Sequence, residues 1–339
     1  MNTLGWNSTV VGSFPYENTP ENMEKAFMDQ INTGVDFPSY PQLVDMISQF
    51  LDPLVELGEG LKKEGGEYIL EGELVVPEEP FALEYGEFVV NFLNEHPEIK
   101  KNLKGWKACL TGPFTLAGKI LVDDDVVDGK NPIIFQEPRA IQSAGILDKL
   151  ATMMAKIANE YNKMGATIIS MDEPTLGLIV GRRSALYHKD QVIIDILNKA
   201  IDPIEKYSSA HVCGRISPKL RDILLESNVN ILDHEFQKSD NEGIFNKEMF
   251  EEPDKYLAYG AIQSTADFKI DGKVNDYVEG KDIILKRLKK IKAEFGSHNL
   301  ILKPDCGFGG LLAQFGQKMA SEIVRKRLNI LNTCKNEIK

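Results

Sequence analysis

The sequence predicts an α/β fold, a single TIM (β/α)8 barrel. Three observations carry that reading. Short apolar, β-branched runs alternate with longer helical patterns, the sign of a parallel sheet wrapped by helices. Eight such runs can be read along the chain, which is the strand count of a TIM barrel. The competing fold, a doubly wound sheet, lacks its Gly-x-Gly-x-x-Gly fingerprint after the first run.

In chain order the candidate strands are NSTVVGSF (7–14), EYILEGEL (67–74), WKACLTG (106–112), ATIISMD (166–172), SSAHVC (208–213), NILDHEF (230–236), YLAYGAI (256–262) and NLILKPD (299–305). The second spaces its glutamates along the run and reads equally well as a hairpin. Helical patterns fill the gaps. PQLVDMISQFLDPLVELGEGL follows the first run, and AIQSAGILDKLATMMAKIANEYNKMG ends in a glycine placed like a C-cap. SPKLRDILLES opens with Ser-Pro, an N-cap followed by proline at the first helical position. KDIILKRLKKIKAEFG spaces Ile284, Leu288, Ile291 and Phe295 along one face and stops at Gly296. No repeat, low-complexity tract or linker interrupts the pattern, so residues 1–339 read as one domain.

Composition narrows the function classes. An apolar content of 42% in 339 residues builds a large core without staples. A formal charge of −12 argues against nucleic acid and against an anionic membrane surface as partners. No signal-peptide pattern opens the chain, and no apolar run approaches the about 18 residues of a membrane span. Four scattered cysteines are too few for a disulfide scaffold. The expected compartment is the reducing cytoplasm, where neighbouring Cys and His point to metal or catalysis.

Catalytic side chains of a barrel sit at the C-terminal ends of its strands. Residues i and i+2 of a strand share a face. His211 and Cys213 therefore point the same way at the end of SSAHVC. Asp233 and Glu235 share a face of NILDHEF, with His234 turned to the other side. Cys306 stands at the tip of NLILKPD. His211, Cys213, Glu235 and Cys306 are thus four potential ligands at three strand ends, a donor set suited to tetrahedral zinc. Two thiolates and a carboxylate against Zn²⁺ leave a net −1. So electron-rich a site is a poor activator of water and suits a substrate thiol held as its nucleophilic thiolate. A packed His-x-Cys pair and a closed structural zinc are the alternatives.

Asp172 ends its strand on the face of Ser170, where its carboxylate either pairs with a cation or caps the following segment; Glu173 reads as a structural cap. Gly12 and Ser13 stand before Pro15, either as an ordinary turn or as a backbone N–H and hydroxyl presented together. Cys109 and Cys334 read as non-catalytic. The acidic VDDDVVDG (122–129) lacks the glutamate of a calcium loop, and KRLKKIK (286–292) reads as a solvated helix face. GRRS (181–184), near the mouth, is placed to meet an anionic part of a donor or a partner protein.

In order, VVGSFP, LTGPFTL, SMDEPTLG, HVCG, DHEF and KPDCG resemble the catalytic domain of cobalamin-independent methionine synthase, from Val11 to Gly307. Glu235 follows Cys213 by 22 residues, as in that family's zinc site. HVCG is also similar to the zinc-containing, corrinoid-dependent methyltransferases of the uroporphyrinogen decarboxylase superfamily. The resemblance implies zinc on His211, Cys213, Glu235 and Cys306. It implies homocysteine bound through Gly12, Ser13 and Asp172, with methionine as product. The family's second amine-binding glutamate falls loosely on Glu84 or Glu87. Two departures stand out. The chain has no room for the additional barrel that helps bind a folate, and QSTADF (263–268) lacks the histidine that acts as proton donor. Methyltetrahydrofolate needs N5 protonated before it leaves, whereas a methylcorrinoid leaves as Co(I) without a proton. The expected donor is therefore methylcobalamin or a corrinoid protein. The alternatives are another thiol acceptor such as coenzyme M, or a tetrapyrrole-handling protein resembling uroporphyrinogen decarboxylase.

Overall fold

The structure is a computed structural model that describes residues 4–58, 60–127, 134–251 and 255–338. Its strands are β1 (Leu61–Glu64), β2 (Glu67–Leu70), β3 (Lys107–Thr111), β4 (Ile120–Leu121), β5 (Ile168–Asp172), β6 (Tyr207–Val212), β7 (Ile231–His234), β8 (Tyr256–Ile262) and β9 (Leu300–Pro304). Its helices are α1 (Pro20–Asn32), α2 (Ser48–Glu56), α3 (Glu84–Glu95), α4 (Pro97–Asn102), α5 (Pro113–Ala117) and α6 (Ala144–Lys163). They continue with α7 (Leu176–Ile179), α8 (Asp190–Ile201), α9 (Pro218–Glu226), α10 (Lys281–Phe295) and α11 (Leu311–Ile338), the last broken at Gly316.

Six strands form one sheet in the order β3-β5-β6-β7-β8-β9, every pair parallel. Helices between them carry apolar stripes toward it, such as Ile146, Leu147, Leu150, Met154, Ile157 and Tyr161 on α6. The outer strands are linked to each other through two short stretches. Asn7–Thr9 runs beside β9: Thr9 N donates to Leu302 O at 3.0 Å and Leu302 N to Asn7 O at 2.8 Å. Phe37–Tyr40 runs beside that stretch and beside β3, through Phe37 N to Ser8 O (3.0 Å) and Tyr40 N to Lys107 O (2.9 Å).

The run 67–74 does not join this sheet. Its β2 pairs antiparallel with β1 and parallel with β4 in a separate three-stranded sheet. The glutamates explain why: β2 exposes Glu67 while burying Tyr68 and Leu70, whereas β3 and β5 are buried at every position. The place beside the first stretch goes to Phe37–Tyr40, which contains Pro38 and is short. Helix ends follow the expected chemistry. Ser217 Oγ accepts from Leu220 N at 3.0 Å at the start of α9, and Gly296 takes φ +77° after α10. The helix expected from Pro41 begins only at Ser48. Among the described residues no helix is long and apolar enough to cross a membrane.

Candidate active site

Parallel strands deliver His211, Asp172, Asp233, Cys213 and Cys306 to one end of the sheet. His211 lies in register with Asp172 on β5 and Asp233 on β7. Its Nε2 lies 2.9 Å from Cys213 Sγ and 3.6 Å from Cys306 Sγ, and the two sulfurs are 3.1 Å apart. A disulfide would bring them to about 2.05 Å, so both cysteines are free. Zn–S bonds of about 2.3 Å at tetrahedral angles place two thiolates about 3.8 Å apart. The three donor atoms form a triangle slightly tighter than that and converge on one point. His211, Cys213 and Cys306 thus fit a zinc ion.

Glu235 sits just beyond β7, buried, and its Oε2 accepts from Ser239 Oγ at 2.7 Å rather than joining the triangle. Asp305 anchors the connection that carries it. The Asp305 carboxylate accepts from the backbone N–H of Phe236, Gln237 and Lys238 at 2.8–3.0 Å. One side chain therefore ties the Glu235 connection to the residue before Cys306.

Electrostatics orient the histidine. His211 Nδ1 donates to Asp233 Oδ1 at 2.6 Å, which leaves Nε2 free to face the sulfurs. Asp233 also meets Lys303 Nζ at 2.7 Å and Lys107 Nζ at 3.6 Å, and all four groups are buried. Burial opposes ionisation of Asp233, but Lys303, His211 and Lys107 outweigh it and hold the carboxyl far below its usual range. Although burial disfavours a charged imidazole, Asp233 lifts His211 to about 10. Hydrogen bonds from Cys213 and then His211 hold Cys306 well below the ordinary thiol range, while the same contact with Cys306 and burial push Cys213 up. The pair thus favours one thiolate, on Cys306.

Asp172 is buried with little support. Its Oδ1 takes one side-chain hydrogen bond, from Ser170 Oγ at 3.2 Å. Burial pushes it up to about 6, against the pull of His211 and Lys107. Glu173 has a different occupation: its carboxylate accepts from Phe114 N, Thr115 N and Thr115 Oγ1 at 2.7–2.9 Å, capping α5. His234 turns away from the site and stacks on Phe245 at 5.3 Å, 9° from parallel. Cys109 is buried and donates to Val11 O, and Cys334 is buried in α11.

Ser13 lies next to the cysteine loop. Its hydroxyl accepts from Gly309 N at 3.3 Å, and a Cβ at Gly307 would overlap its Oγ. Gly12 has φ +152°, and a Cβ there would stand 2.7 Å from Cys109 Sγ, so a side chain is excluded on both counts. Beside Ser13 opens a cleft of about 340 Å³ lined by Phe14, Tyr16, Gln42, Met46 and Gly309 among others. Gln42, in register with Ser13, occupies the tip beyond the second stretch. Its Nε2 donates to Gln49 Oε1 at 2.7 Å. Glu84 is exposed in the first turn of α3, as is Glu87, and neither lines that cleft. The sequence reading gave no role to Lys107, Asp233, Lys303 or Gln42. Lysines inside apolar strands were the available signal.

The QSTADF segment follows β8, and Arg327 holds it through the carbonyls of Gln263 and Thr265 at 2.9 and 3.0 Å. Basic residues of α10 leave Ile284, Leu288 and Ile291 buried, as a solvated helix requires. The acidic 122–129 segment lies partly outside the described residues.

Solved structures share this fold. A B12-independent methionine synthase from Shewanella sp. W3-18-1, in complex with selenomethionine, superposes with TM-score 0.68 at 17% identity, covering 98% of each chain. A methyltransferase from Methanosarcina mazei superposes with TM-score 0.63 at 14% identity, over 100% of this chain and 95% of that one. No family model matches the chain, and no curated protein matches its sequence. The fold is that of methionine synthase-like and methyltransferase structures, a mixed α/β architecture on a parallel sheet.

Proposed function

We propose that the chain is one (β/α)8-barrel domain, the barrel closed through Asn7–Thr9 and Phe37–Tyr40, and that it is a zinc-dependent thiol methyltransferase. The preferred acceptor is homocysteine, with methionine as product. The observation that carries the reading is the triangle of His211 Nε2, Cys213 Sγ and Cys306 Sγ, with the weakly supported carboxylate of Asp172 on the adjoining strand. His211, Cys213 and Cys306 would hold zinc, with Glu235 as fourth ligand once its side chain leaves Ser239. Zinc, when bound, supplies a positive centre that keeps an acceptor thiol deprotonated near neutral pH.

The chain's own residues do the rest. Asp233 fixes the tautomer and direction of His211, and Lys303 and Lys107 fix Asp233. Asp172 receives the acceptor's ammonium, which replaces the solvation it lost on burial. Ser13 and the Gly12 backbone receive the carboxylate. Alignment of thiolate and methyl group for in-line displacement is the main catalytic contribution. No histidine stands in QSTADF to protonate a departing amine, which favours methylcobalamin or a corrinoid protein as donor over a methyltetrahydrofolate. A thiolate-bearing site of this kind belongs in the reducing cytoplasm.

Gln42 favours a second acceptor reading. A neutral amide at that tip leaves Asp172 as the acid placed for an ammonium, and a thiol without one, such as coenzyme M, asks less of the site. The test is a panel of donors and thiols with zinc-loaded protein. Methionine from homocysteine and methylcobalamin is expected. Methylation of homocysteine from a methyltetrahydropterin with methylcobalamin ignored would reverse the donor assignment. Cys213→Ala and Cys306→Ala should each abolish both activity and tight zinc binding.

A further inference from the structure

Three consecutive connections at the site's end of the sheet carry exposed cations: Arg182 and Arg183 after β5, Arg215 after β6 and Lys238 after β7. Arg215 lies two residues past Cys213, and Lys238 three past Glu235. The connections are sewn together. Ser217 Oγ lies 3.1 Å from both Val180 O and Gly181 O. Asn241 accepts from Ile216 N at 2.8 Å and donates to Gly214 O and Glu235 O at 2.9 and 2.8 Å. The cations therefore share one rim rather than three unrelated loops. The N-terminus of α9, whose dipole end is positive, opens at the same seam after Ser217.

The pairing pattern is uneven. The chain has eight arginines. Arg139, Arg221, Arg287 and Arg325 each meet a carboxylate, and Arg327 meets backbone carbonyls. The remaining three are Arg182, Arg183 and Arg215. Among the described residues no carboxylate pairs with them or with Lys238. The acids nearby in sequence are largely committed: Glu235 to Ser239 and Glu242 to Lys290, leaving Asp240 exposed. In a chain of net charge −12, a run of unneutralised cations beside the site attracts anions that the rest of the surface repels.

We propose that this rim binds an oligo-anion, the carboxylate-bearing acidic surface of a corrinoid donor protein, and so holds the donor over the cysteine pair. The identity of the ligand as donor rests on the methyltransferase reading; the anion site does not. Titration calorimetry of the full chain with tetraglutamate and with tripolyphosphate at low salt tests it. At least one should bind with a Kd below about 1 mM, weakening as salt shortens the reach of the charges. Tetraglutamate, which mimics an acidic protein surface, should bind more tightly than tripolyphosphate; the reverse order would overturn the assignment to a carboxylate surface. Arg182→Glu/Arg183→Glu/Arg215→Glu should weaken it by about tenfold or more, whereas Lys100→Glu/Lys101→Glu, on α4 ahead of β3, should not. Binding of neither probe, or equal loss in both variants, overturns the proposal. Zinc binding and homocysteine methylation by the triple variant, at saturating free methylcobalamin, separate failure of the rim from failure of the enzyme reading.

Discussion

Asp172 and Asp233 flank His211 from adjoining strands, both buried, in opposite electrostatic conditions. Asp233 has a histidine and two lysines around it and stays ionised far below its usual range. Asp172 has a serine hydroxyl and is pushed up to about 6. A buried carboxylate whose charge is already answered holds structure. One whose charge is left unanswered at the mouth of a sheet is prepared for a cation that arrives later. On the proposed function, the difference separates a residue that aims a ligand from one that would bind the substrate.

The sharpest way to break the comparison is to remove Asp233. Asp233→Ala leaves Lys107 and Lys303 buried without a counter-charge, and loss of one partner from such a cluster costs about 3–5 kcal/mol. Urea unfolding of the metal-free protein should show that loss. The freed His211 should also lower zinc affinity by about 10–100-fold, measured by competition with a chelator. Unchanged stability together with unchanged affinity would mean that the lysines, not the carboxylate, organise this side of the site.

Asp172→Asn should behave in the opposite sense. A raised carboxyl pKa means that the folded state holds its proton longer than the unfolded one. The associated stability is present below about pH 3.8 and is lost as pH climbs through about 6. Asparagine mimics the protonated group and escapes that loss. The variant should therefore be more stable than the parent at about pH 8, by at most about 3 kcal/mol, with the gap closing below about pH 4. Its KM for homocysteine should rise by about tenfold or more, because an ammonium loses its charged partner. A variant less stable than the parent at pH 8, with KM unchanged, would make Asp172 a structural residue like its neighbour Glu173.

How much of this was legible in the sequence follows from how each signal is encoded. Period-two alternation placed His211 with Cys213 and turned His234 away, because strand geometry alone decides those directions. Six of the eight candidate strands became β3 and β5–β9, and these are buried runs bounded by clear turn signals. The stretch beside β3 was not legible. Phe37–Tyr40 is short, contains proline and pairs through isolated bridges, while the longer EYILEGEL offered a stronger strand pattern and went to the hairpin. Gln42, in register with Ser13, carries no sequence signal that sets it apart, and Glu84 was reached only through the loose resemblance of LEYGEFV. The network of Lys107, Asp233 and Lys303 was hidden for another reason. Its three members lie 126 and 70 residues apart on β7, β3 and β9, and only the folded sheet brings their charges together.

The smallest effects test the tip beside Ser13. Glu84 is exposed on α3 and does not line the cleft, so Glu84→Ala should change stability by no more than about 0.5 kcal/mol and leave the acceptor KM unchanged. Gln42 is buried, and its amide donates to Gln49, whose own Nε2 donates to Tyr40 at 3.2 Å. Gln42→Ala strands the Gln49 carbonyl, at about 1–3 kcal/mol, and widens the cleft beside Ser13. Its KM for homocysteine should rise modestly, by less than that of Asp172→Asn, since an amide contributes a hydrogen bond and no charge. Were Glu84→Ala instead to raise KM while Gln42→Ala left it alone, the start of α3 would have to close over the site during binding. Asp172 would then share the ammonium with a second carboxylate. The contrast between an answered and an unanswered charge would have to be drawn in the liganded enzyme rather than in the resting one.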